Sequence, residues 1–152
     1  MNDFSNSLPM LLYRALDGVM PEFRRIFAEH DLTEQQWRVL RVLWEEDGQT
    51  LLILADRTLI PSPSLVGVVD RLERDGLVER RKSVKDRRRV HVTLTGRGQG
   101  LEAQVSPKVA AAYQALEDRI GREDWRALTM SLMGLVSMEP ETIQRKQTKR
   151  GV

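Results

Sequence analysis

Residues 62–94 read SPSLVGVVDRLERDGLVERRKSVKDRRRVHVTL, and this stretch decides the fold. Its first part has apolar side chains at three- and four-residue steps, the spacing of a helix with one buried face: Leu65, Val68, Val69 and Leu72. We predict Ser62 as the N-cap of this helix, Pro63 as its first residue and Gly76 as the left-handed residue after its end.

The second part predicts a β-hairpin with strands from Leu77 to Lys82 and from Val90 to Leu94. Residues 80–89 contain seven cations and one carboxylate, a net charge of +6. The whole chain carries only +2, so the remainder sums to −4. Positive charge concentrated on one hairpin is typical of a local anion-binding surface.

The segments before residue 62 predict three helices. The first runs from about Ser7 to Glu29 and has one apolar stripe: Leu8, Leu12, Leu16, Val19, Phe23 and Ile26. Thr33 and Gln36 form a capping box that opens the second helix. A minimal strand at Thr50-Leu51 precedes the third, from Leu52 to about Arg57.

After the hairpin, Thr95 is predicted to cap a long fifth helix, and Gly121 separates it from a sixth. The fold class is therefore mainly α with a small β-hairpin wing: a winged helix-turn-helix flanked by long helices. We predict one compact domain with four segments: a dimerisation helix at 1–30, the DNA-binding part at 31–96, C-terminal dimerisation helices at 97–143 and a flexible tail at 144–152.

The composition excludes several classes of function. The 152 residues include no cysteine, which excludes disulfides, thiolate metal sites and thiol redox sensing. His30 and His91 are isolated, so we expect no metal site and no cofactor. Because no nucleophile with a base and an orienting group stands out, we expect no enzyme. No signal segment or apolar run of ~18 residues is present, so we expect a cytoplasmic protein without membrane contact.

The predicted helix at 62–74 fits the major groove of duplex DNA. Asp70 also faces outward, and the candidate contacts on this side are Ser62, Pro63, Ser64, Gly67, Arg71 and Arg74. Gly67 is unusual because glycine in a helix interior costs about 1 kcal/mol relative to alanine. It either lets the helix backbone approach DNA closely or permits a close helix–helix contact inside the protein.

The hairpin loop supplies further candidate DNA contacts: Lys85, Asp86, Arg87, Arg88 and Arg89. A loop arginine is attracted by the negative potential of a narrow A·T minor groove. Asp86 either pairs with a neighbouring arginine and fixes the loop, or is a solvated turn carboxylate of little energetic value.

The outer helices carry more apolar surface than one small winged domain can cover. Pairing them with a second copy across a two-fold axis would bury it, and the alternative is a monomer whose terminal helices pack on the core. A symmetric dimer presents two recognition helices, which predicts a pseudo-palindromic DNA site with half-sites ~34 Å apart.

These motifs resemble the MarR family of bacterial regulators over essentially the whole chain. The resemblance rests on Leu72-Glu73-Arg74-Asp75-Gly76-Leu77-Val78, Asp86-Arg87-Arg88, and Leu94-Thr95 followed by Gly98. Within the family, residues 32–38 and 63–65 are most similar to HpaR-type repressors of homoprotocatechuate degradation. The chain departs from the common pattern at Leu59, where a turn glycine is frequent, and at Pro61, where a capping serine is usual.

The resemblance implies a bacterial, nucleoid-associated transcription regulator in which Arg88 enters the minor groove and Asp86 orients it. It also implies release of DNA on binding of a small aromatic acid. The candidate residues that bind this acid are Arg14, Trp37 and Arg41. A guanidinium can grip a carboxylate in a bidentate fork, and an indole can pack on the ring. The alternative function is a sequence-independent architectural DNA-binding protein.

Overall fold

The computed structural model describes residues 3–86 and 88–138. A short 3-10 helix, Phe4–Asn6, precedes the main elements: α1 Leu8–Ala28, α2 Glu34–Glu45, β1 Gln49–Thr50, α3 Leu51–Thr58, α4 Ser62–Arg74, β2 Val78–Lys82, β3 Val90–Leu94, α5 Gly96–Ile120 and α6 Arg122–Val136. The chain divides into two compact units, Met1–Tyr113 and Gln114–Val152. The predicted tail at 144–152 lies outside the described residues.

The predicted fold class, mainly helical with a β-hairpin wing, is confirmed. The strands form an antiparallel sheet in the order β1-β3-β2, in which Arg80 of β2 pairs with Val92 of β3. The minimal strand lies one residue earlier than predicted, because Thr50 is already the N-cap of α3. Its side-chain oxygen accepts a hydrogen bond from the Ile53 amide at 3.3 Å.

The core of the first unit lies where α1, α2, α3, α4, the sheet and α5 contribute buried apolar side chains. In α1, Phe23, Ile26 and Phe27 are buried, whereas Leu8 and Leu12 are exposed. The apolar stripe predicted along α1 is therefore divided into a buried part and an exposed part. Its C-terminal part enters the core, and its N-terminal part faces outward.

The prediction that Ser62 caps α4 is wrong, because Pro61 is the N-cap and Ser62 is the first helical residue. Pro61 has φ −53° and ψ 137°, and its carbonyl accepts hydrogen bonds from the amides of Ser64 and Leu65, both at 2.9 Å. A proline ring holds φ in a range that this position tolerates, and an N-cap needs no amide hydrogen. Helix α4 therefore starts at Ser62, one residue before the predicted start at Pro63, and its N-cap makes no side-chain hydrogen bond.

Other helix boundaries confirm the sequence predictions. The Thr33 hydroxyl accepts from the Gln36 amide at 3.1 Å, and the Gln36 side chain accepts from the Thr33 amide at 2.9 Å. Gly76 follows α4 with φ +70°, a left-handed backbone that costs glycine little. The Thr95 hydroxyl accepts from the Gly98 amide at 3.1 Å and so caps α5.

In the second unit, Gly121 has φ +96° and separates α5 from α6. None of the α6 side chains is buried. Among the described residues, no single helix is long and apolar enough to cross a membrane, and only α3 and α4 taken together, with a 107° bend between them, reach that length and composition.

Candidate nucleic-acid interface

The buried stripe of α4 fixes which residues the helix presents outward. Leu65, Val68, Val69 and Leu72 are all buried, as predicted. Since residues on the opposite side of a helix must then face away from the core, the candidate DNA contacts are accessible. Five are exposed and Gly67 is partly exposed: Ser62, Pro63, Ser64, Arg71 and Arg74.

Gly67 does not serve a close contact inside the described part of the chain. A Cβ atom at this position would have no neighbouring atom within 4 Å. The helix–helix interpretation of this glycine is therefore wrong for the described residues. Of the two interpretations of Gly67, only close approach of the helix backbone to DNA remains, and it stays a prediction.

The turn between α3 and α4 gives the pair its helix-turn-helix geometry, with a bend of 107°. Leu59 makes this turn in the left-handed region at φ +55°, and its side chain is 80% exposed. The turn is held by the Thr58 hydroxyl, which donates to the Leu54 carbonyl at 2.6 Å, and by the Arg38 guanidinium, which donates to the Thr58 carbonyl. Ile60 is buried beneath it.

The wing loop is closed by hydrogen bonds of its own. The Ser83 amide donates to the Arg89 carbonyl, and the Arg89 amide donates to the Asp86 carbonyl, both at 2.9 Å. The Asp86 carboxylate accepts from the Arg88 amide at 3.0 Å and lies 3.8 Å from the Arg89 guanidinium. This geometry supports the interpretation that Asp86 fixes the loop. Lys85, Arg88 and Arg89 are exposed on it, and Arg87 lies outside the described residues.

Both arginines of β2 are engaged within the protein. Arg80 forms ion pairs with Asp70 and Glu73 of α4, each at 2.5 Å, and Arg81 pairs with its strand neighbour Glu79. Partial burial lowers the pKa of Arg80, but the hydrogen bonds from Asp70 and Glu73 outweigh it and the pKa is raised. Arg80 and Arg81 are therefore less available to a ligand than the exposed loop residues Lys85 and Arg88.

A glycine at the start of α5 holds the wing against the rest of the first unit. A Cβ atom on Gly98 would lie 2.0 Å from the carbonyl oxygen of Leu77, at the entry to the wing. The Gly98 carbonyl accepts from the Trp44 indole at 2.9 Å, and the Thr95 hydroxyl donates to the Gly76 carbonyl at 2.6 Å. This close packing explains why position 98 is a glycine.

Two of the three candidate effector residues lie together. Trp37 and Arg41 line a depression of about 270 Å³ whose other residues are Arg38, Val42, Glu45, Arg57 and Thr58. Trp37 is half-buried and stacks on Phe27, with ring centroids 4.8 Å apart. Arg14 is exposed on α1 and does not line the depression.

The depression holds three guanidinium groups and a single carboxylate. Arg41 and Arg57 both pair with Glu45, at 3.0 and 2.6 Å. Arg38 and Arg57 were not among the effector residues predicted from the sequence. Arg38 and Arg41 are three residues apart on α2, a spacing that would have placed them side by side. Arg57 comes from α3, and only the packing of α3 on α2 brings it there.

A larger depression, of about 580 Å³, lies beside the C-terminal end of α4. It is lined by Glu29, His30, Asp31, Arg74, Asp75, Leu77, Arg97, Leu101 and Gln104. None of the candidate effector residues lines it, and Arg74 is the one candidate DNA contact among its described lining residues.

Comparison with known proteins shows consistent similarity to DNA-binding regulators. Residues 32–90 match the model of the MarR family. The homoprotocatechuate degradative operon repressor of Escherichia coli is 38% identical over 133 residues, which cover 88% of this chain and 90% of that protein.

Two solved structures are also similar. NadR in complex with 4-hydroxyphenylacetate is 35% identical with a TM-score of 0.75, covering 91% of this chain and 99% of NadR. The transcriptional repressor CouR bound to a 23-mer DNA duplex is 31% identical with a TM-score of 0.82, covering 90% of this chain and 96% of CouR.

Proposed function

The chain belongs to the MarR family of transcriptional regulators, and from that premise we propose that it is a homodimeric, sequence-specific repressor released from DNA by a small aromatic carboxylate. The observation that carries the proposal is the exposed face of α4, which the Arg80 ion pairs join to β2 of the wing, with the exposed cations of the wing loop beyond β2. The major groove admits a helix of this size.

On this surface, α4 enters the major groove with Ser62, Pro63, Ser64, Gly67, Arg71 and Arg74 toward the DNA. The wing residues Lys85 to Arg89 follow the backbone into the neighbouring minor groove, where Arg88 is inserted. Cations near phosphates supply affinity, while the contacts of α4 with base edges supply specificity. The CouR complex supports DNA binding, because a similar chain was solved bound to a 23-mer DNA duplex.

Dimerisation is supported by the apolar surface that each unit leaves exposed. Large apolar side chains are exposed on the N-terminal half of α1: Leu8, Leu11, Leu12, Tyr13 and Leu16. A second set is exposed on and after α6: Leu128, Met130, Leu132, Met133, Leu135, Val136 and Met138. Several large apolar side chains exposed along one helix are typical of a protein–protein interface. A second copy of the chain buries these side chains and sets two α4 helices about one turn of DNA apart, ~34 Å.

The effector would bind in the depression beside Trp37, with its carboxylate on Arg41. The depression has a volume of about 270 Å³, which suits a single-ring acid better than a larger drug-sized ligand. The ligand of NadR, 4-hydroxyphenylacetate, is an acid of this size. Arg14 lies on the α1 segment that we assign to the dimer, so it would reach the effector through the second copy.

The DNA-binding proposal is tested by selecting ~30-bp duplexes from a random pool with the wild-type protein. We expect a pseudo-palindromic consensus that binds at least ~10³-fold more tightly than random DNA at the same salt concentration. An architectural DNA-binding protein would bind both classes of duplex about equally. If the selected duplexes share no consensus sequence, the proposed function is contradicted.

The effector proposal is tested by titrating 4-hydroxyphenylacetate into the complex with the selected duplex. We expect a 5- to 150-fold loss of DNA affinity, the usual range of coupling between two sites. The variants Arg41→Gln, Trp37→Phe and Arg14→Ala should each weaken this response and leave DNA affinity without effector unchanged. Arg24→Gln, on the exposed side of α1, is the control that should respond as wild type.

A further inference from the structure

Two carboxylates lie on the helix that faces DNA in the proposed function. Asp70 and Glu73 belong to α4, and their side chains are 51% and 41% exposed. DNA carries one phosphate charge per ~1.7 Å of helix axis, so unpaired carboxylates on this helix would oppose binding. Arg71 and Arg74 supply only two cations on the same helix.

The Arg80 guanidinium covers both carboxylates. Its Nη2 contacts Asp70 Oδ1 and its Nη1 contacts Glu73 Oε2, each at 2.5 Å, while the Arg80 amide donates to Glu73 Oε1 at 3.1 Å. The Arg80 side chain is 24% exposed, against 69% for its neighbour Arg81. Successive residues of a strand point to opposite faces, so of these two only Arg80 faces α4.

We propose that Arg80 is a positioning residue that neutralises the acidic pair of the recognition helix, so that α4 can approach DNA without repulsion from Asp70 and Glu73. This inference rests on the proposed DNA-binding function. Arg80 itself does not touch DNA in this scheme. Its contribution to affinity passes through Asp70 and Glu73.

The geometry favours this role over a direct phosphate contact. The guanidinium is bound by two carboxylates on two nitrogens, and charge-assisted hydrogen bonds of this kind are stronger than neutral ones. Moving Arg80 to a phosphate would leave two uncompensated negative charges beside the same DNA. Loop cations such as Lys85 and Arg88 can reach a phosphate at lower electrostatic cost.

The test is a mutant cycle on the full-length protein, measured as affinity for the duplex selected by the wild-type protein and for random DNA of equal length. We expect Arg80→Gln to weaken binding to the selected duplex about tenfold or more, because the unmasked carboxylates repel the phosphates. Adding Asp70→Asn and Glu73→Gln removes that repulsion. The triple variant should return to within about threefold of the wild type.

Arg81→Gln provides the matched control, since it removes a cation from the same strand without uncovering the α4 carboxylates. When Arg81→Gln is combined with Asp70→Asn and Glu73→Gln, the changes in DNA-binding free energy should be additive, so the added substitutions should not restore the affinity that Arg81→Gln loses. Salt titration gives a second readout: the slope of log K against log salt should be the same for the triple variant as for the wild type.

Two results would overturn the inference. The first is a triple variant that stays as weak as Arg80→Gln. The second is a triple variant whose salt slope is smaller by ~0.9, which is the loss of one direct phosphate contact. Failure of the wild-type protein to prefer its selected duplex would instead contradict the proposed function, so the two failures are distinguishable.

Discussion

Replacing Gly67 by alanine should stabilise the protein and weaken its binding to DNA. Glycine in a helix interior costs about 1 kcal/mol relative to alanine, and a Cβ at this position meets no atom within 4 Å that would offset the gain. We therefore expect unfolding to become about 1 kcal/mol less favourable, which raises the Tm of a chain of this size by about 2–4 °C.

The effect on DNA should have the opposite sign. If the helix backbone packs closely on DNA at Gly67, the added methyl group overpacks that contact at a cost of about 1–3 kcal/mol. This corresponds to a roughly 5- to 150-fold loss of affinity for the selected duplex. Thermal unfolding at fixed protein concentration and fluorescence anisotropy with labelled duplex measure the two effects.

Gly100→Ala is the matched control for this experiment. Gly100 is a helical glycine of α5 that likewise has no atom within 4 Å of its Cβ position. It should show the same gain in stability with unchanged DNA affinity. A Gly67→Ala variant that is more stable and binds DNA as tightly as wild type would refute the close approach at Gly67.

Three further substitutions test the parts that hold the surface. Gly98→Ala should destabilise the protein by about 2–3 kcal/mol in chemical denaturation, since its Cβ would lie 2.0 Å from the Leu77 carbonyl oxygen; a loss below 0.5 kcal/mol would mean that the wing entry can shift freely. Leu59→Gly should stabilise the protein by about 0.5–1 kcal/mol, because φ is +55° at this position. Leu52→Gly inside α3 should destabilise the protein by about 1 kcal/mol. If both variants changed the free energy of unfolding in the same direction, the strain assigned to the turn would be contradicted. Arg88→Ala should weaken binding more at A·T-flanked sites than at G·C-flanked sites, and an equal loss at both would place Arg88 outside the minor groove.

Local patterns were sufficient wherever one segment contains all the interacting groups. The Thr33–Gln36 capping box, the left-handed Gly76 and the buried stripe of α4 each depend on neighbours within a few residues. The same holds for the Asp86 carboxylate, which contacts the next residues of its own loop. The start of α4 was the exception, because Pro61 and Ser62 are both compatible with an N-cap and the conformation of the preceding turn decides between them.

The sequence by itself determined the order of helices and strands, the winged helix-turn-helix class and the succession of an amphipathic helix and a cationic hairpin loop along the chain. These features follow from the spacing of apolar residues and from turn chemistry, which act within one element. Tertiary structure alone decided that Arg80 belongs to the acidic pair on α4, that Arg57 joins Trp37 and Arg41, and that Gly98 is required by the Leu77 carbonyl. Each of these contacts joins residues on different elements, and a distance between elements is set by how their buried faces pack, which no single segment encodes.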